Sequence, residues 1–255
     1  MANCNICPHN CEGDAVCGKP QYGEVSSVAV DPIEKKPLYR FHPGRPILSI
    51  GGFGCNLRCP FCQNHDIAMG RGKRQGRRFS PKEIVAMAKD VPDNIGVAYT
   101  YNEPVISYDF VYDCARAVKD AGMGNVLVTN GFINREPLEA LLPYVDAMNI
   151  DLKGFSEEFY KKLGGSLQPV KDTIAAASGR CHVEVTTLVI PGENESHVEL
   201  IAEWLSRIDA DIPYHISRFF PRHEYADRAP TSVEEVFRLC EVAGRYLRWV
   251  FAGNV

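Results

Sequence analysis

Gly54-Cys55-Asn56-Leu57-Arg58-Cys59-Pro60-Phe61-Cys62-Gln63-Asn64 places three thiols at C-x3-C-x2-C spacing, directly after the apolar run Ile47–Ile50. Thiolates are natural ligands of iron–sulfur clusters. Three close together hold three irons of a cubane and leave the fourth iron open, as a binding site rather than only an electron store. Structural zinc asks for four ligands, so a zinc loop or three unrelated thiols are the plainer alternatives. Position favours the cluster: the loop follows a first strand, and α/β barrels build their active sites at the C-terminal ends of strands.

Working outward, the same strand-then-loop pattern repeats. Near-continuous apolar runs lie at Ile47–Ile50, Ile95–Tyr101, Asn125–Asn130, Ala147–Asp151, Val183–Ile190, Tyr214–Ser217 and Arg248–Phe251. Such runs suit strands covered on both faces. Between them lie helix-like stretches. Ser80-Pro81-Lys82-Glu83 reads as a capping box with Pro at the first helical position. Pro104–Ala121 reads as a helix stopped by Gly122, and Arg135–Leu142, Ser156–Leu163, Pro169–Ala177, Glu195–Ile208 and Ser232–Tyr246 read as helices too. This alternation predicts an α/β fold with a parallel sheet and right-handed crossovers. Six or seven strands point to a partial (β/α)6-type barrel over residues 47–255. Residues 1–46, rich in Cys, Pro and Gly, read as a Cys-rich N-terminal metal-binding segment with one short strand, Glu24–Val30.

A chain of 255 residues can bury a sizeable core. The formal net charge of −4 gives no general attraction to nucleic acid or anionic membranes. No run has the length of a membrane-spanning helix, and Met1–Asn10 lacks the apolar stretch of a signal peptide. A cytoplasmic protein is the expectation. Seven of the ten cysteines fall within the first 62 residues, and without an export signal clustered thiols read as metal ligands. Cys4, Cys7, Cys11 and Cys17 form one such cluster. An auxiliary iron–sulfur cluster and a structural zinc both fit four thiolates, and spacing does not choose between them. Cys114, Cys181 and Cys240 are scattered and are expected as buried small hydrophobes.

Three strand ends carry further chemistry. Glu103 precedes Pro104, where a carboxylate favours a helix dipole and also faces the barrel mouth. Asp151 and Lys153 alternate onto one face, and opposite charges there should pair with each other or with a ligand. His215, a lone His in an apolar strand, reads first as a structural residue. Arg71, Lys73, Arg74, Arg77 and Arg78 form a basic run with two readings: a solvated loop, or a lid that attracts an acidic partner or substrate.

These residues together resemble the radical SAM superfamily. The resemblance implies a 4Fe–4S cluster on Cys55, Cys59 and Cys62 whose open iron is chelated by the amino and carboxylate groups of S-adenosylmethionine (SAM). One electron then breaks a sulfonium C–S bond, and a 5′-deoxyadenosyl radical abstracts hydrogen from substrate. By the same resemblance Phe61 lies near the adenine and Glu103 binds the methionine amino group, although the family's two preceding glycines are replaced in Tyr101-Asn102-Glu103-Pro104. Val128-Thr129-Asn130-Gly131 and Asp151-Leu152-Lys153 resemble segments of glycyl-radical-enzyme activases, which makes Thr129, Asp151 and Lys153 cofactor-site residues. Val128 stands where activases carry an Asp, so a cation site built on that Asp is not implied. Ile190-Pro191-Gly192 is similar to the segment that supports adenine, and His215 to a His near the SAM ribose and carboxylate. Cys4-x2-Cys7-Pro8-His9-x-Cys11, Val30–Tyr39, Gly154–Tyr160 and His215–Phe219 resemble the AmmeMemoRadiSam-system enzymes, relatives of pyruvate formate-lyase activating enzymes. Many of these continue with another Cys pair where this sequence stops at Asn254-Val255, which is either naturally short or truncated. That resemblance implies an electron donor such as flavodoxin or ferredoxin, and Memo-like and AMMECR-like partners. Its rivals are a glycyl-radical-enzyme activase and a non-catalytic iron–sulfur carrier or zinc-binding module.

Overall fold

The computed structural model describes residues 4–12, 17–69 and 75–255. Three strands come first: β1 (Glu24–Val25), β2 (Ser27–Pro32) and β3 (Pro46–Gly51). The Cys55–Cys62 loop leads into a single helical turn, α1 (His65–Ala68), then β4 (Arg77–Arg78) and α2 (Pro81–Lys89). Strand and helix then alternate: β5 (Gly96–Thr100), α3 (Tyr108–Asp120), β6 (Gly124–Thr129), α4 (Arg135–Leu141), β7 (Ala147–Asp151), α5 (Glu157–Lys162), α6 (Leu167–Ala177), β8 (His182–Val189), α7 (His197–Ile208), β9 (Tyr214–Arg218), α8 (Val233–Ala243) and β10 (Val250–Gly253). Among the described residues no helix is long and apolar enough to cross a membrane.

The sheet runs β10-β9-β8-β7-β6-β5-β3-β2. From β3 to β10 every pairing is parallel; β2 joins antiparallel to β3, from Ser27 opposite Gly51 to Pro32 opposite Pro46. The lead-in therefore contributes a strand to the same sheet, across the expected boundary at residue 46. β1 and β4 pair with each other outside it. The sheet is curved but open, with β2 and β10 at its edges.

Local chemistry sets the crossovers. Ser80 and Glu83 complete the expected capping box on α2. The helix expected over Pro104–Ala121 is instead a 3-10 turn, Pro104–Ser107, followed by α3. Tight turns of this kind are common at helix N-termini, and here the Glu103 carboxylate caps the N–H of Val105. Basic residues Arg77 and Arg78 form β4; Arg71, Lys73 and Arg74 of the expected lid lie outside the described residues. Cys114 is buried as expected, whereas Cys181, just ahead of β8, and Cys240, on α8, are only half-buried.

Strand alternation divides the core in two. Outward residues such as Leu48, Tyr99, Leu127, Met148 and Ile216 pack with the helices. Inward residues Ile47, Ala98, Val126 and Ala147 meet Ile33 and Leu38 from the segment between β2 and β3. That segment plugs the lower end of the barrel, and each fully buried Leu or Ile contributes about 1.5–3 kcal/mol. From the level of the plug upward the inward face turns polar, with Asn149, Glu184, Thr186, His215 and Ser217.

Candidate functional site

Where the plug ends, the C-terminal strand ends enclose a cavity of about 330 Å³. Its walls include Cys55, Cys59, Phe61 and Cys62 from the loop after β3, Tyr101 and Glu103 after β5, and Thr129 and Asn130 at β6. Asp151, Lys153, Thr186, Leu188, Ser217 and Asn254 also line it. Eight of the residues expected from sequence thus share one cavity: Cys55, Cys59, Phe61, Cys62, Glu103, Thr129, Asp151 and Lys153.

Two of the residues expected to bind the cofactor do not line it, nor do the four N-terminal cysteines. Ile190 is fully buried, and its N–H donates to Asn194 Oδ1 at 2.8 Å. His215 lies lower in the barrel, with Nε2 at 2.6 Å from Glu184 Oε2 and its ring stacked on Phe251. Its inward alternation carries it to the plug rather than to the mouth.

Glu103 is the most deeply held carboxylate of the cavity, at 2% exposed. Its oxygens accept from the Thr129 hydroxyl at 2.7 Å, the Asn130 N–H at 2.7 Å and the Val105 N–H at 3.2 Å. Burial nevertheless outweighs these donors and lifts its pKa to about 7. Lys153 Nζ donates to Asp151 Oδ2 at 2.9 Å. Burial works against the ammonium, but Asp151 and then the Cys59 sulfur more than offset this and raise Lys153 above the usual lysine range. Its backbone is fixed from both sides, by the Tyr160 hydroxyl on its N–H and Asn194 Nδ2 on its carbonyl. Phe61 is buried against Phe159, with ring centroids 6.5 Å apart.

The three thiols are free and sit in low-dielectric surroundings. Burial raises Cys55, with Glu103 adding to it, lifts Cys59 to about 11 and raises Cys62. Such thiols are neutral on their own and lose their protons to a metal. Two donors are aimed at the Cys55 sulfur, the Leu57 N–H at 3.4 Å and Asn130 Nδ2 at 3.6 Å. These support a thiolate, so the donor set fits an iron–sulfur cluster with three protein ligands. Among the described residues no three Cys, His, Asp or Glu side chains are arranged to hold a single metal ion.

Sequence reasoning passed over Tyr101 and Asn130. Tyr101 has φ +70°, a left-handed conformation unusual for a bulky residue. Its hydroxyl donates to Asp31 Oδ2 at 2.6 Å, and Asp31 also accepts from buried Lys36 at 2.7 Å. Asn64 Nδ2 holds the Tyr101 carbonyl at 2.7 Å, and Asn102 ties Gly52 and Gly54 to the end of β5. The Cys55 loop and Glu103 are therefore set relative to each other by this turn. The missing glycine of the expected motif was the signal for a left-handed position; Asn130 was visible within the Thr129-Asn130-Gly131 segment.

An open, largely parallel sheet with cysteines, a carboxylate and a lysine around its C-terminal mouth defines a class, and comparison with known proteins agrees. Residues 49–205 match the radical SAM superfamily. The uncharacterized protein MJ0808 of Methanocaldococcus jannaschii is 38% identical over 275 residues, covering 99% of this chain and 81% of that protein. This chain belongs to the radical SAM superfamily. Pyruvate formate-lyase 1-activating enzyme of Escherichia coli K12 is 30% identical over 145 residues, 54% of this chain and 59% of that enzyme. Among solved structures, a domain of pyruvate-formate lyase-activating enzyme from Bacteroides vulgatus aligns with a TM-score of 0.54 at 18% identity, over 62% of this chain and 99% of that one. Streptococcus suis SuiB bound to S-adenosylmethionine aligns with a TM-score of 0.61 at 15% identity, over 78% and 47% of the two chains. Both share the fold.

Proposed function

We propose that the chain cleaves SAM reductively and directs the resulting 5′-deoxyadenosyl radical at a hydrogen atom of a protein or small-molecule substrate. One juxtaposition carries this reading: Cys55, Cys59, Cys62, Glu103 and the Asp151–Lys153 pair line a single cavity. When bound, a 4Fe–4S cluster on the three cysteines supplies an open iron for the amino and carboxylate groups of SAM and the electron that breaks a sulfonium C–S bond.

The chain's own side chains do the rest. Glu103 accepts from the SAM ammonium, and a buried carboxylate gains most from a cation placed against it. Thr129 and Asn130 hold that carboxylate in one orientation. Lys153, charged at neutral pH, offers a donor to the SAM carboxylate, with Asp151 as its counter-ion. Phe61 and Leu57 present apolar surface that keeps water from the reacting end. A one-electron donor protein such as flavodoxin or ferredoxin delivers the electron.

The test is anaerobic. Protein reconstituted with iron and sulfide receives SAM and dithionite, and 5′-deoxyadenosine is quantified by mass spectrometry beside Cys59→Ala. Product from the wild type and none from the variant is expected. A verified, reducible cluster that neither yields product nor binds SAM would transfer the reading to an iron–sulfur electron carrier.

A further inference from the structure

The N-terminal cysteines are built onto the back of the Cys55 loop. The Cys17 carbonyl accepts from the Cys55 N–H at 3.2 Å. Gly54 sits between them at φ +88°, where a Cβ would lie 2.5 Å from the Cys17 carbonyl oxygen, so only glycine permits this approach. His9 Nε2 lies 2.7 Å from the Asn56 carbonyl, and the Asn134 N–H donates to the Ile6 carbonyl at 2.9 Å. The Cys4 N–H donates to the Cys11 carbonyl at 3.0 Å and closes the segment on itself.

All four N-terminal thiols are free, and Cys7 and Cys17 are buried. They are also neighbours: the backbone bond from Cys4 to Cys11 brings those two together, and Cys7 lies near both, with Cys17 near Cys7 and Cys11. Four thiolates complete the ligand set of an iron–sulfur cluster or of a zinc ion, but among the described residues no three such side chains are arranged around a single ion. What lies alongside distinguishes the two. Asn56 is 2% exposed, and its side chain reaches the Cys7 thiol. Its Oδ1 accepts from Asn130 Nδ2 at 2.8 Å, and the same Nδ2 lies 3.6 Å from Cys55 Sγ. Cys7 and Cys55 are thus bridged by two buried amides. A redox-inert ion gains nothing from such a bridge; an electron-carrying centre gains a short bonded path.

We propose that Cys4, Cys7, Cys11 and Cys17 hold a second iron–sulfur cluster that passes electrons to the Cys55 site along the Asn56–Asn130 bridge. One electron moves from a reduced one-electron donor protein to the N-terminal cluster and then to the cluster on Cys55, Cys59 and Cys62; no bond forms or breaks. The electron's destination rests on the radical SAM reading, whereas the existence of the second cluster does not.

The experiment separates them. Wild type and the triple variant Cys55→Ala/Cys59→Ala/Cys62→Ala are reconstituted anaerobically, and iron, sulfide and zinc are quantified per chain. About eight irons are expected in the wild type and about four in the triple variant. A natively folded triple variant that holds zinc in place of iron, or no metal, overturns the second cluster. Should the triple variant not fold, Cys4→Ala/Cys11→Ala decides: its iron should drop to about half the wild-type content while the SAM-responsive EPR signal survives. Unchanged iron would overturn the proposal. Mixed with reduced flavodoxin in a stopped-flow instrument, this double variant should lose the fast phase of reduction of the Cys55 cluster. Retention of that phase overturns the relay. Failure of the radical SAM reading would appear separately, as absent 5′-deoxyadenosine with the triple variant's iron unaffected.

Discussion

Burial makes the carboxyl of Glu103 hold its proton well above the ordinary carboxylate range. Its pKa of about 7 lies above the ordinary value near 4.5, so the folded protein binds the proton more tightly than the unfolded chain. In this acid the elevated value means that folding is favoured with the proton on, fully below about pH 4.5, and that this contribution is lost as pH rises through about 7. A SAM ammonium reverses the balance by favouring the ionised form. SAM affinity should therefore weaken below about pH 7, approaching about tenfold per pH unit while Glu103 is mostly protonated. Titration calorimetry on the reconstituted protein reads this directly. Glu103→Gln should bind weakly throughout and lose the slope; a wild type whose affinity is flat between about pH 5 and 7 would remove Glu103 as the ammonium's acceptor.

At the scale of elements, the segment between β2 and β3 carries more of the fold than its composition discloses. Leu38 and Ile33 are fully buried under the sheet, the Pro37 carbonyl accepts from Asn149, and the Tyr39 and Arg40 N–H groups donate to Glu184 at 3.0 and 2.7 Å. Glu184 also receives His182 and His215. Burial alone would raise this carboxyl, but the two imidazoles and the Arg40 N–H hold it down at about 2. Glu184→Ala leaves two imidazoles and two backbone donors facing a void, and should cost about 3–5 kcal/mol in urea unfolding. A loss no larger than that of an exposed glutamate would mean that the plug is held by Leu38 and Ile33 alone. None of this was legible beforehand. Two apolar residues among prolines and lysines show no period, and Glu184, which holds the neighbouring Tyr39 and Arg40 N–H groups, stands more than a hundred residues along the chain. His215, read first as a structural residue, shows the same limit: its strand and its inward alternation were readable, but its level in the barrel depends on a plug that periodicity cannot reveal. The strands and the cysteine loop were readable because each is a local pattern, an apolar run followed by a polar turn.

Considered as a whole molecule, the sheet is unevenly covered. Parallel strands hold best when both faces are buried. All five residues of β5 are buried, and β7 and β8 are nearly so, between the helices on one side and the plug on the other. Every residue of β10 is only half-buried, and its outer edge carries no partner strand among the described residues. The seven parallel strands and a partial barrel could be read from sequence, whereas the eighth, antiparallel strand β2 at one edge could not, because that edge depends on where the lead-in pairs. Hydrogen-exchange mass spectrometry should accordingly find β5 to β8 slowest and β10 fastest within the sheet, since local opening follows few buried contacts and unpaired backbone. If β10 exchanged as slowly as β6, something outside this chain's described residues would have to cover that edge. The gradient matters for the cavity. Cys55, Glu103 and Lys153 follow β3, β5 and β7 on the slow side, whereas Ser217 and Asn254 belong to β9 and the end of β10. On the proposed function, the groups assigned to the cofactor follow the best-covered strands, and the less covered wall at β9 and β10 is the one expected to open to a substrate.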